Sequence, residues 1–200
     1  GPICVLLCTL QVAYWMCGLR SLEMRMAPIT MVFIITGLAV FTQAMFFLGI
    51  GASAEEGKKS PIVPVGYISV IAGIINLVVG LYITVVRPLD ADPSLLLAGL
   101  IGFYGLFFLA LGLAEILDMD LRVIGNLAIP TAILPLFWIN FFSDTQWTLI
   151  LIWWVVTFLA ITLTTYGKLQ ARVLGIILMI TAIFTFFLVP VDAVMGWGLI

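Results

Sequence analysis

Long apolar stretches alternate with short polar ones along the chain. Seven apolar runs stand out: Ile3–Leu19, Ala27–Ala52, Ile62–Val86, Ser94–Ile116, Val123–Phe142, Trp147–Tyr166 and Val173–Val191. Each is near or above the length a helix needs to cross a bilayer core. The separators are Arg20–Arg25, Ser53–Pro61, Arg87–Pro93, Asp118–Arg122, Ser143–Gln146 and Gly167–Arg172. Connections this short predict antiparallel helical hairpins and leave no room for a soluble domain. The runs lack the polar–apolar alternation of barrel strands, so strands are not expected. The pattern predicts an all-α integral membrane protein: a six-helix transmembrane bundle of three hairpins, plus one extra N-terminal transmembrane helix. Residues 1–26 form that extra helix, a signal-anchor or mis-started sequence, and residues 27–200 form the six-helix domain.

Composition agrees with the pattern. The 200 residues are 64% hydrophobic and 9% charged, with a mean hydropathy of +1.30. A soluble domain of this size cannot hide so much apolar surface. The net charge of −2 gives no reason to expect nucleic acid as a partner. There is no histidine, which removes the commonest metal ligand, the usual general base and the side chain that titrates near neutral pH. Cys4, Cys8 and Cys17 all fall in the first run. Without His or Cys partners elsewhere they read as buried apolar side chains, so neither a metal nor another cofactor is expected. No nucleophile–base pair and no paired carboxylates at membrane depth can be assembled, so an intramembrane enzyme is not expected.

The basic residues divide unevenly. Lys58, Lys59, Arg122, Lys168 and Arg172 fall on one side, with Arg20, Arg25 and Arg87 on the other. The first side is therefore expected to be cytoplasmic, and the C-terminus outside.

Within the sixth run, Trp147, Leu151, Trp154 and Phe158 share one helical face. Such a stripe either packs against neighbouring helices or walls a pore. In the fourth run Tyr104 and Phe108 share a face that continues through Leu111 to Glu115; a slip of the alignment would substitute Phe103 and Phe107. Glu115 is either a solvated interfacial carboxylate or an acceptor for amide N–H groups at a pore's inner mouth. Gln43, Asn76 and Asn126 are candidates for interhelical hydrogen bonds or for lining a polar path. Ser69 with Gly73, and Ala98 with Gly102 and Gly105, carry the small-residue spacing of close helix packing. Pro130 and Pro135 should bend the fifth run or free carbonyls there.

From Pro28 onward the chain resembles the AmiS/UreI family of urea and short-chain amide channels. TGLAVFTQAMFFLG (Thr36–Gly49) is similar to the family's first helix, with Gly37 and an amide at Gln43 where the family more often has Asn. YISVIAGIINLVVGLYI (Tyr67–Ile83) is similar to the second, with its central glycine. The stretch GFYGLFFLALGLAEILDMDLRVIGNLAIPTAI (Gly102–Ile133) resembles the third helix, the short Asp-x-Arg turn at Asp120 and Arg122, and the fourth helix. Trp147–Phe158 resembles the fifth helix and ITAIFTFFLVP (Ile180–Pro190) the sixth. The pattern departs in three ways: the extra N-terminal helix, the lack of external histidines, and no acidic residue between Tyr166 and Asp192, where the family's sixth helix carries a pore-facing Glu. Thr181 or Thr185 is the candidate replacement.

The resemblance implies a passive channel or transporter for urea or short aliphatic amides such as acetamide in the bacterial cytoplasmic (inner) membrane. It also implies a homohexamer with one pore per protomer. The expected pore and substrate residues are Trp147, Trp154, Phe158, Tyr104, Phe108, Glu115 and Gln43, with Trp153 a second choice. Without histidine, flux should change little between pH 7.5 and 5.5. Two alternatives remain open. One is an acetate or small-monocarboxylate channel of similar architecture, whose Asn-Pro-Ala-Pro signature has no counterpart here. The other is a non-transporting accessory subunit of a membrane complex.

Overall fold

The structure is a computed structural model that describes residues 29–51, 60–142 and 145–196. The expected extra helix, the three cysteines, and Arg20, Arg25, Lys58 and Lys59 lie outside these residues. Among the described residues, six helices are long and apolar enough to cross a bilayer: α1 (Ile29–Leu48), α2 (Ile62–Val86), α3 (Ala91–Ile116), α4 (Arg122–Phe142), α5 (Thr145–Thr165) and α6 (Ala171–Asp192). Their limits follow the charge and turn punctuation closely, and α2 coincides with its apolar run.

Tight turns join α2 to α3, α3 to α4 and α5 to α6. Arg87 and Asp118, just past α2 and α3, take positive φ values of 53°. At the first of these turns the Leu89 N–H donates to Ser94 Oγ at 3.0 Å. The turn before α6 uses Gly167 at φ 68°. Asp120 pairs with Arg122 at the turn into α4.

α2 and α3 are fused along a glycine seam. A Cβ added to Gly73 would meet Leu109 N at 2.5 Å and Gly105 O at 2.8 Å. Gly66 and Gly112 oppose one another further along the same seam. Ala98 and Gly102 take part more loosely: a Cβ added to Gly80 would meet Ala98 O at 3.4 Å and Gly102 N at 3.6 Å, while one added to Gly102 itself would meet nothing within 4 Å.

Two helices are irregular. In α4, Pro130 removes a backbone donor, and the helix tightens into a 3₁₀ segment at Leu134–Trp138 before Ile139–Phe142 resumes α geometry. Trp138 Nε1 donates to Leu96 O at 3.0 Å, tying this segment to α3. In α6, α-helix at Ala171–Ile180 gives way to a π-helix at Thr181–Phe187, then returns at Leu188–Met195.

Val85, Phe137 and Val194 are more than 70% exposed on the outer surface. In a chain of this hydropathy such faces meet lipid. Among the described residues, polar side chains pair across helices both in the interior and at the surface. Asn76 Nδ2 donates to Thr36 Oγ1 at 3.0 Å, Tyr166 OH donates to Asn126 Oδ1, and Thr162 Oγ1 donates to Gly125 O at 2.9 Å.

Candidate functional site

The inward faces enclose two cavities. The inner one, about 270 Å³, lies toward the Asp120–Arg122 turn and is walled by residues including Gln43, Phe107, Phe108, Glu115, Thr157 and Phe158. The outer one, about 280 Å³, lies toward the Arg87 turn; Phe33, Thr36, Asn76, Phe142, Trp147 and Leu151 are on its wall. Each can hold several waters or a small solute.

Three side chains line both cavities and divide them: Tyr104, Trp154 and Phe186. The Trp154 indole stacks on Phe186, with centroids 5.3 Å apart and planes at 14°. Tyr104 meets Trp154 edge-on at 5.0 Å and 79°. Phe158 stacks against Tyr104 at 5.6 Å on the inner side, and Phe33 approaches Phe186 at 5.8 Å. Offset and edge-to-face rings attract, so the septum is a packed unit and not a chance near-closure.

The π-helix holds this septum in place. Thr185 Oγ1 accepts from Trp154 Nε1 at 2.9 Å and donates to Thr181 O at 2.6 Å. One turn earlier, Thr181 Oγ1 accepts from Trp153 Nε1 at 3.0 Å and lies 2.8 Å from Thr157 Oγ1. Two adjacent indoles of α5 are thus gripped by two threonines of α6. Trp153 belongs to a shallow outer groove with Phe184 and Ile180, away from both cavities.

On the inner wall, Gln43 Nε2 donates to Glu115 Oε1 at 2.7 Å and to Ser69 Oγ at 3.1 Å. This joins α1, α2 and α3. Glu115 is 2% exposed. It is therefore not the solvated interfacial carboxylate that the sequence left open.

All seven residues expected on the path lie on cavity walls. Trp147 is on the outer wall, Tyr104 and Trp154 are on both, and Phe158, Phe108, Glu115 and Gln43 are on the inner wall. Of the alternative pair, Phe107 joins them on the inner wall, whereas Phe103 lines neither cavity. Of the candidate threonines, Thr181 lines the inner cavity while Thr185 supports Trp154. Sequence reasoning missed Phe33 and Phe186. The signal that could have found them is the polar side chains of the same helices, Thr36 and Gln43 on α1 and Thr181 and Thr185 on α6, which are buried.

Six bilayer-length helices around two aromatic-walled cavities in line define a multi-pass helical membrane protein. Its fold is similar to that of the Helicobacter pylori urea channel, solved by cryo-electron microscopy in the closed state: TM-score 0.69, 14% identity, 86% of this chain and 100% of that one. No protein-family model matches the chain, and no curated protein sequence does.

Proposed function

We propose that the protein is a passive channel for urea or short aliphatic amides, set in the bacterial cytoplasmic membrane and not gated by histidine. One observation carries the reading: an aromatic septum of Tyr104, Trp154 and Phe186 stands between two cavities that approach it from opposite ends of the bundle. The shared fold with a urea channel supports the same reading.

The chemistry is consistent with this role. Urea and small amides are flat, uncharged and strongly hydrated. Ring faces admit a flat solute edge-on and offer weak N–H···π contacts in place of water. A cation finds too little there to offset its lost hydration. An anion fares worse: among the described residues, Glu115 is the charged side chain on the inner wall and no Lys or Arg lines either cavity. This disfavours the acetate reading. A homohexamer with one pore per protomer is the assembly the sequence resemblance implies.

Stopped-flow light scattering on proteoliposomes in urea, acetamide and acetate gradients tests the proposal. Fast urea or acetamide flux above that of empty vesicles is expected. Flux matching empty vesicles for all three solutes would overturn it and favour an accessory subunit.

A further inference from the structure

Two buried side-chain polar atoms among the described residues have no hydrogen-bond partner: the Tyr104 hydroxyl and Glu115 Oε2. Buried polar atoms are nearly always paired, because an orphan forfeits its hydration for nothing. Both orphans belong to α3, both side chains line the inner cavity, and the residues are only 8% and 2% exposed. Their separation of eleven positions is close to three helical turns, so they share a face, about 16 Å apart along it.

Their chemistry is complementary. A phenolic hydroxyl can donate, whereas a carboxylate oxygen accepts. Glu115 is also held in position. Gln43 Nε2 takes Oε1 at 2.7 Å and is itself anchored on Ser69, which leaves Oε2 as the spare acceptor. Tyr104 sits on the septum itself, facing both cavities. An amide carries a carbonyl acceptor and N–H donors within a few bonds of each other, whereas the two residues stand about three helical turns apart, so a solute meets the two atoms in succession.

We propose that the Tyr104 hydroxyl and Glu115 Oε2 are two successive solute stations. The first donates to an amide carbonyl at the septum; the second accepts an amide N–H in the inner cavity. This rests on the channel reading and extends it to specificity: the path favours neutral solutes that carry both a carbonyl and N–H groups. Each orphaned atom then gains its missing partner from the solute.

The test compares wild type with Tyr104→Phe and Glu115→Gln in proteoliposomes, using urea, formamide and N,N-dimethylformamide, which keeps the carbonyl but has no N–H. Rates are corrected for empty vesicles and for folded protein by size-exclusion profile. Glu115→Gln is expected to lower urea and formamide flux about tenfold, equivalent to about 1.4 kcal/mol, and to leave dimethylformamide unchanged. Tyr104→Phe should slow all three solutes, since they share the carbonyl. If wild type carries urea and both variants keep its flux and solute ranking, the stations are refuted while the channel stands. If wild type carries no urea, the channel reading falls and this inference with it. Should Glu115→Gln not fold, Tyr104→Phe decides alone, because it removes one unpaired atom, and unchanged flux would overturn the proposal.

Discussion

Replacing Trp154 with alanine strikes the septum at its centre. The indole is 6% exposed. It stacks on Phe186 at 5.3 Å, meets Tyr104 at 5.0 Å and donates to Thr185 at 2.9 Å. Each ring contact contributes about 0.5–1.5 kcal/mol beyond area burial, and the hydrogen bond about 0.5–1.5 kcal/mol. With the lost apolar burial added, the total falls in the range of about 3–5 kcal/mol seen for buried Trp→Ala changes. Thr185 still donates to Thr181 O, so its hydroxyl is not stranded. The variant should fold with a lowered melting temperature, and its two cavities, about 270 and 280 Å³, should merge. Discrimination then weakens: glycerol flux rises relative to urea flux in stopped-flow measurements on proteoliposomes. Trp154→Phe keeps a ring in the wall and loses the Thr185 bond, costing about 1 kcal/mol and preserving discrimination. A folded Trp154→Ala protein with the wild-type glycerol-to-urea ratio would refute the reasoning and reduce the stripe to packing.

Further outcomes follow from other parts of the bundle. Gly73→Ala forces a methyl onto backbone atoms of α3 that cannot step aside, and should destabilise by about 1–3 kcal/mol in detergent melts. Gly99→Ala, with nothing within 4 Å of the new Cβ, should be neutral or slightly stabilising; equal losses from both would argue against the seam. The hydrogen bonds from Arg122 hold the Asp120 carboxyl below its ordinary range, at about 2. Any stability from that pair is complete above the ordinary carboxylate pKa and lost as pH falls through about 2. Because the pair is fully exposed to solvent, Asp120→Asn should leave the melting temperature at pH 7 unchanged within error. With no histidine in the sequence, urea flux should stay flat between pH 7.5 and 5.5. A steep change would contradict this and shift attention to Glu115, the carboxylate on the inner wall.

Much of this architecture was written in the spacing of charges. Helix limits were legible because Arg87, Asp118 and Arg122 cannot lie in hydrocarbon without partners, so they mark where each span stops. The face of α5 was legible because its large rings recur at helical spacing. On α1 and α6 the polar residues Thr36, Gln43, Thr181 and Thr185 mark the inward side, but which apolar rings accompany them was not legible, since lipid accepts such rings as readily as a core does. Phe33 and Phe186 were lost for that reason. The π segment escaped as well: Thr181 and Thr185 fit an ordinary i, i+4 step, and nothing in their identity announces the wider turn. The partnership of Gln43 with Glu115 joins positions 72 apart; each residue could be singled out, but their meeting could not.

The glycine seam gives the bundle a mechanical asymmetry. α2 and α3 touch backbone to backbone at Gly66, Gly73, Gly105 and Gly112, so they behave as one stiff plate. Elsewhere in the bundle, α4 changes its winding after Pro130 and α6 widens at Thr181–Phe187. Both carry weaker internal ladders there. Strain imposed on the molecule should concentrate in these two segments, and the septum ring borne by α6, Phe186, should move before Tyr104 on the plate. Hydrogen–deuterium exchange would reveal this as slow amides throughout the plate and faster ones at residues 130–138 and 181–187.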